Sequence, residues 1–360
     1  MFAPTEGTTF TLGGGAPVGN YGQLKTKGYE IAVDYSHRFD NGLGINFRAN
    51  LDDAKSIFSG YTSSRLTSAY YDGSVYGDIW GYVTDRLYQY DDFVLDANGN
   101  PQIVKLNADM TKYYTSGNGQ TYLQKNGPNG EKPIYQSRLE TTSTFDFGPG
   151  DVKFKDLNGD GEIDNGDGTI DNPGDMKIIG NSTPRYNYGF RVGADFKGFD
   201  FSMFFQGVGK RAIWGNGALA IAGYNTADGA MPEAIASNYW TPETTNAFYP
   251  RAFNNANSNA ANNMQVQSKY LLDMSYLRIK NITLGYSLPK HVLNPVKLNS
   301  VRFYVALENF FTWDKLNGLP IDPEEVSGVS MFNESNYNSG RTGVGTPTFK
   351  SASFGLQLNF

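Results

Sequence analysis

Cysteine is absent from the 360-residue chain. That removes disulfides, thiol nucleophiles, iron–sulfur clusters and Cys-ligated zinc. Histidine is almost absent too, with only His37 and His291 present. Each sits beside a turn, and nothing places a serine and an aspartate with either, so both read as ordinary surface histidines rather than triad members. No stretch approaches the roughly 18 consecutive apolar residues of a membrane-spanning helix, which excludes helical membrane proteins but not a β-barrel, whose alternating strands average to a polar chain. Basic residues are in the minority, 30 Lys+Arg against 36 Asp+Glu for a net charge of −6, and a nucleic-acid partner has no electrostatic support. The opening MFAPTEGTTFTLGGGAP lacks the charged head and apolar core of a secretory signal. The expectation is therefore either a cytoplasmic chain or one whose true N-terminus lies upstream.

What is abundant is glycine, at 42 residues, and aromatics, at 24 Tyr, 24 Phe and 4 Trp. The dominant hydrophobic period is two. Tyr29, Ile31, Val33 and Tyr35 alternate with Glu30, Ala32, Asp34 and Ser36. After an Asp40-Asn41-Gly42 turn, Leu43, Ile45, Phe47, Ala49 and Leu51 alternate with Gly44, Asn46, Arg48, Asn50 and Asp52. This is a β-hairpin with one apolar and one polar face. The same pattern returns from Tyr186 to Phe196, and after a Lys197-Gly198 turn from Phe199 to Phe205. A third hairpin spans 276–313, with a phase shift near Asn281 that predicts a bulge. The chain ends on Phe354, Leu356, Leu358 and Phe360 in alternation.

The polar faces of these seven strands carry Arg, Lys, Asp and Glu in mid-strand, as a wet lumen permits. The connections are asymmetric. Those at 40–42, 197–198 and about 289–300 are short, while 56–182, 209–273 and 314–348 are long. Compact soluble domains rarely contain such loops. Short turns at one end and long loops at the other match an outer-membrane barrel, with polar residues inward and apolar residues towards lipid. The fold expected is all-β: an antiparallel transmembrane β-barrel segment of about seven to nine strands with long extracellular loops. Strand parity then puts the C-terminus in the periplasm. Segment 74–90 (SVYGDIWGYVTDRLYQY) is a candidate for further strands, and 209–273, rich in Asn, Ala and Gly, reads as a solvated surface loop in preference to a disordered linker, because aromatics such as Trp240 and Tyr249 punctuate it.

Several local motifs carry chemistry. DLNGDGEIDNGD at 156–167 places Asp156, Asn158, Asp160, a backbone carbonyl at Glu162, and Asp164 at calcium-loop spacing, with Asp167 where a bidentate Glu usually closes the site. These are the candidate Ca2+ ligands, and the competing reading is a solvated acidic turn. Phe360, terminal on an alternating strand, is the candidate assembly signal for outer-membrane insertion. Tyr35, Tyr186, Tyr286 and Trp313 are candidates for interfacial girdles. No catalytic residue emerges: no acid pair stands out for glycoside hydrolysis, and the glycine-rich 215–223 lacks the GKS/T of a phosphate loop. Substrate-contacting residues are not readable.

Certain stretches, however, resemble a known family. KGYEIAVDYSHRFDNGLGINF, GDIWGYVTDRLYQ, DVKFKDLNGDGEID, NSTPRYNYGFRVGADFKGFDFSMFFQGVG, SYLRIKNITLGYSLP and VRFYVALENFFTW are similar to C-terminal barrel segments of SusC/RagA-type TonB-dependent outer-membrane transporters. The resemblance runs from about Asn20 to Phe360, in order. It implies a 22-stranded barrel plugged by an N-terminal domain, located in the cell outer membrane and importing large nutrients. Glycan oligosaccharides or peptides would be the cargo, TonB the energy source and a SusD-like surface lipoprotein the partner. It implies no enzyme and no nucleic acid. Residues 1–360 would then be the C-terminal part of the barrel, without the plug and N-terminal strands, and Arg48, Arg191 and Glu308 would line the lumen. The rival expectation is a surface or secreted structural or adhesive β protein whose calcium loop stiffens a binding face.

Overall fold

The structure, a computed structural model, describes residues 2–4, 18–20, 22–61, 66, 71–105, 120–140, 145–215, 233–252, 262–296, 298–324 and 348–360. Its frame is one seven-stranded antiparallel sheet. The strands are β1 (Gln23–Arg38), β2 (Gly44–Ser59), β3 (Arg185–Phe196), β4 (Phe199–Lys210), β5 (Tyr276–Ser287), β6 (Ser300–Asp314) and β7 (Ser351–Asn359). Each strand pairs with its sequence neighbour, giving a plain meander. With 9 to 16 residues apiece, all seven reach the roughly 9–11 that a tilted strand needs to cross a bilayer.

The short connections take their form from the residues that make them. Lys197 and Gly198 both have positive φ (48° and 88°), as a two-residue hairpin requires to match the right-handed twist of its flanking strands. At the first turn Gly42 has φ 88°, and the Asn41 side chain accepts a hydrogen bond from the Leu43 amide at 3.0 Å. The connection from β5 to β6 winds into a short helix, Lys290–Leu293, and a 3-10 turn, Asn294–Val296. The phase shift near Asn281 is a bulge. Phe204 and Phe205 of β4 face Asn281 and Ile279, leaving Lys280 over. On the other side the pairing passes from Ile279↔Phe311 to Asn281↔Glu308, where Asn309 takes a positive φ of 56°.

Register places the apolar residues on one face. Ile31 lies opposite Leu51, Val33 opposite Ala49 and Tyr35 opposite Phe47. The row continues through Val192, Met203, Ile282 and Leu307 across the sheet. No described residue covers it at its β1 edge, where Tyr29, Ile31, Val33 and Tyr35 are 50–53% exposed. Aromatics mark both ends of this face. Tyr35, Tyr286 and Phe199 stand towards the short turns, and Tyr186 and Trp313 towards the long connections.

The buried core lies elsewhere. Every residue of the main apolar cluster, among them Tyr88, Phe93, Phe145, Phe154, Trp240 and Met274, belongs to the three long connections. These fold into a layer with small two-stranded sheets of their own. Asp78–Tyr82 pairs with Met176–Asn181, Thr84–Leu87 with Val152–Phe154, and Ala212–Ile213 with Leu272–Asp273. Segment 74–90 thus builds the loop layer rather than adding strands to the main sheet. Its Tyr82, Leu87 and Tyr88 are buried at 5% exposure or less, a demand the apolar core of the layer makes and a lipid-facing wall does not. The 209–273 connection also differs from a solvated loop where it is described. Trp240 and Tyr249 are buried, and the Tyr249 and Tyr270 rings stack at 5.6 Å. Much of its glycine- and asparagine-rich sequence, 216–232 and 253–261, lies outside the described residues.

Candidate functional site

The face opposite the apolar one is polar because each strand alternates. It is laced by ion pairs between strands. Arg48 Nε donates to Asp34 at 2.6 Å, Arg38 meets Asp195 at 2.8 Å, and Arg302 Nε donates to Asp200 at 2.9 Å. Glu308 accepts from the Ser351 hydroxyl at 2.8 Å. The three residues expected to line a lumen do share this face, and Arg48 stands directly opposite Arg191. Arg191 has no ion-pair partner among the described residues. A recess of about 550 Å³ lies here, lined by Asp34, Asn46, Arg48, Asn50, Arg191 and Asn281. Exposed pairs of this kind add little to stability. They form instead a surface of mixed charge and amide groups, suited to hydrogen-bonding a polar solute.

The loop layer is fastened to the sheet by buried charges. Arg278 of β5, 4% exposed, donates from Nε to the Thr312 hydroxyl (2.8 Å) and meets Asp322 (2.6 Å) and Glu324 (2.5 Å). Lys280 joins Glu324 at 2.9 Å. One strand thereby holds residues 316–324 of the last connection. Burial pushes the Asp322 carboxyl up, but the Arg278 guanidinium, the Thr348 hydroxyl and the Glu324 amide together hold the group below the usual carboxylate range. Inside the layer, Asp151 is fully buried and accepts from Arg251 Nε (2.9 Å), Asn263 (2.7 Å) and the Gly148 amide (2.8 Å). Lys269 lies over the Phe248 and Tyr270 rings at 5.2 and 5.8 Å, and burial lowers its pKa. None of these partnerships was visible in the sequence. The only hint was Arg278 and Lys280, two positions apart in β5.

The 156–167 segment is a loop closed on its own amides. Asp156 accepts from the Gly159 (2.5 Å) and Gly161 (2.9 Å) amides, and Asp160 from the Glu162 amide (2.9 Å). The Asn158 side chain bridges to Asp160 at 2.9 Å. Glu162 and Asp164 both pair with Arg138, at 3.1 and 2.7 Å, and Asp167 turns to Thr169. Asp175, which the sequence pattern does not single out, lies buried behind the loop and accepts from the Leu157 (2.7 Å) and Asp164 (2.8 Å) amides. Burial raises the pKa of Asp175, and burial likewise leads in raising that of Glu162. Among the described residues, no three acidic or histidine side chains are gathered as a metal ion requires. Phe360 follows β7 at the short-turn end and is 85% exposed. His37 packs edge-on against Phe39 at 4.6 Å, and His291 lies in the short helix before β6.

No protein-family model matches the chain. Curated relatives do. The chain is 28% identical over 356 residues to TonB-dependent receptor P3 of Formosa agariphila, covering 95% of this chain and 29% of that protein. It is 24% identical over 310 residues to TonB-dependent receptor P39 of the same organism, covering 83% of this chain and 27% of that one. The fold matches the RagAB peptide importer in its open-open state over the whole chain and 31% of that chain, with a TM-score of 0.58 at 16% identity. The closed-closed state gives the same TM-score over 98% of this chain. The fold class is therefore that of an antiparallel transmembrane β-barrel wall with long loops, of which seven strands are described. In sequence and in fold the chain resembles SusC/RagA-type TonB-dependent transporters, spanning somewhat under a third of the length of these relatives. The matched proteins are receptors and transporters, not enzymes.

Proposed function

We propose that this chain forms part of the barrel wall of a TonB-dependent, SusC/RagA-like importer in the outer membrane, and that residues 1–360 make the C-terminal part of that wall. The observation that carries the reading is the two-faced sheet. An apolar face that no described residue covers at its β1 edge and an ion-paired polar face, joined by short turns at one end and a folded loop layer at the other, are what a bilayer on one side and a wet channel on the other demand. The cargo in this reading is a large nutrient, a glycan oligosaccharide or a peptide. The loop layer, with its aromatic core and its ties to β5, would meet the cargo and a SusD-like surface lipoprotein. TonB would supply the energy through a plug that rearranges while the wall keeps its seal, and no residue of this chain performs covalent chemistry. The likeness to a peptide importer over nearly the whole chain supports this reading.

The test is fractionation followed by uptake. The protein should sediment with outer membranes, require detergent for extraction and co-purify with a surface lipoprotein. Uptake of labelled peptide or oligosaccharide mixtures should stop when either the gene or TonB is deleted. Recovery of the protein in the soluble fraction would overturn the reading.

A further inference from the structure

The apolar row of β1 and β2 changes chemistry at its loop end. Tyr29, Ile31 and Val33 form its apolar part, and the same row continues as Lys27 and Lys25. Lys55 stands directly opposite Lys27 on β2. Like charges placed opposite each other across two strands are destabilising, and these three are exposed with no ion-pair partner among the described residues. Lys55 also lines a cavity of about 470 Å³ between the end of the wall and the loop layer, together with Arg185, Lys210 and Arg211. Two carboxylates share that cavity. Asp273 is paired with Lys315 at 3.1 Å, whereas Asp78 accepts from the Asn181 side-chain amide at 2.9 Å and keeps its charge. Arg185 is neutralised by Asp53. Arg211 donates from Nε to the Ser182 carbonyl at 3.2 Å and meets no carboxylate among the described residues.

Lys25, Lys27, Lys55, Lys210 and Arg211 thus gather positive charge that Asp78 offsets only in part, on a chain that is acidic overall. Their place is the level at which the lipid-facing band ends and the loops begin. We propose that this corner binds the phosphorylated headgroup of an outer-leaflet glycolipid, its acyl chains lying along Tyr29, Ile31 and Val33 and its phosphate taken by the lysines. Ammonium and guanidinium groups bind phosphate through charge-assisted hydrogen bonds. Basic residues at a bilayer surface are attracted to anionic lipid within about a Debye length. The inference rests on the reading that the wall spans the outer membrane with its long connections outside.

The protein purified in detergent is probed by native mass spectrometry with monophosphoryl lipid A, its dephosphorylated form and inorganic phosphate, and compared with the K25Q/K27Q/K55Q triple variant. Heat-modifiable migration on gels confirms that the variant is folded. The wild type is expected to retain the phosphorylated lipid at least tenfold more tightly than the dephosphorylated one, and the variant to lose that preference. Inorganic phosphate at millimolar concentration should compete poorly. Equal retention of the two lipids, or an unchanged variant, would overturn the proposal. Phosphate binding as tightly as the lipid would also overturn it, by making the site one for a free anion. A protein that needs no detergent would instead sink the membrane reading beneath it.

Discussion

Asp53 of β2 and Arg185 of β3, 132 positions apart, join their carboxylate and guanidinium at the loop end of the sheet, with both Asp53 oxygens engaged. Asp53 is 6% exposed and also accepts from the Tyr186 amide at 3.3 Å, where Tyr186 takes a positive φ of 55°. Removing one partner of a buried pair leaves an uncompensated charge. Asp53→Ala should therefore cost about 3 kcal/mol, and the double change Asp53→Ala with Arg185→Met should recover most of that. Thermal unfolding in detergent, followed by heat-modifiable gel migration, measures both.

Arg278 makes a second prediction. Arg278→Met would leave Asp322 and Glu324 without their guanidinium, a loss of about 3 kcal/mol local to the last connection. Hydrogen exchange should rise across 315–324 while the amides of the first hairpin stay protected. The same segment should respond to acid. The folded pKa of Asp322 lies below its unfolded value of about 3.9, so its stabilisation is complete above that value and is lost as pH falls through the folded one. Protection of 315–324 should be flat from neutral pH to about 5 and decline below about 4.

Gly198 is held at φ 88°, and a Cβ there would meet the Ser287 carbonyl at 2.8 Å. Gly198→Ala should cost about 1–2 kcal/mol, from the left-handed conformation alone. The measurement is the midpoint of thermal unfolding in detergent, with Gly355→Ala at a position of ordinary φ, where a Cβ would meet the Tyr304 ring at 2.1 Å, as a contrasting steric case.

Phe360 separates assembly from stability. At 85% exposure it contributes little packing, so a chain ending at Asn359 should unfold within about 0.5 kcal/mol of the parent once refolded in detergent. If Phe360 is an insertion signal, the amount of folded protein recovered from outer membranes should fall severalfold. Equal recovery would leave Phe360 as the end of a strand and no more.

Calcium at 156–167 is proposed as a weak binder, since the side chains of Asp156, Asp160, Asp164 and Asp167 are already committed to amides, Arg138 and Thr169. Terbium luminescence should titrate in the 10⁻⁴–10⁻³ M range of extracellular calcium modules and weaken in Asp156→Ala. Absence of any metal-dependent signal at 10⁻² M would end that proposal.

The wall was legible because period two reports it directly. Tyr29 to Tyr35, the Lys197-Gly198 turn and the slip near Asn281 each have a local cause written in adjacent residues. The loop layer was not legible, because its order comes from partners far apart in the chain. Arg251 finds Asp151 across 100 positions, and Gln89 accepts from the Trp240 indole across 151. A segment rich in Asn, Ala and Gly shows no period from which such contacts could be read, so Trp240 and Tyr249 looked like punctuation in a solvated loop. The basic corner was missed for a related reason: Lys27 and Lys55 become neighbours only through strand register.

The main apolar cluster of the described residues lies in the connections and not in the wall, and this divides the molecule by solvent. The connections carry their own apolar interior, whereas the seven strands must find theirs in whatever fluid surrounds them. The chain is thus two materials joined at the strand ends, one that answers to water and osmolytes and one that answers to the thickness and chain length of its amphiphile. A damaged loop layer should be rescued by sugars or lower temperature, and a damaged wall only by a better-matched lipid.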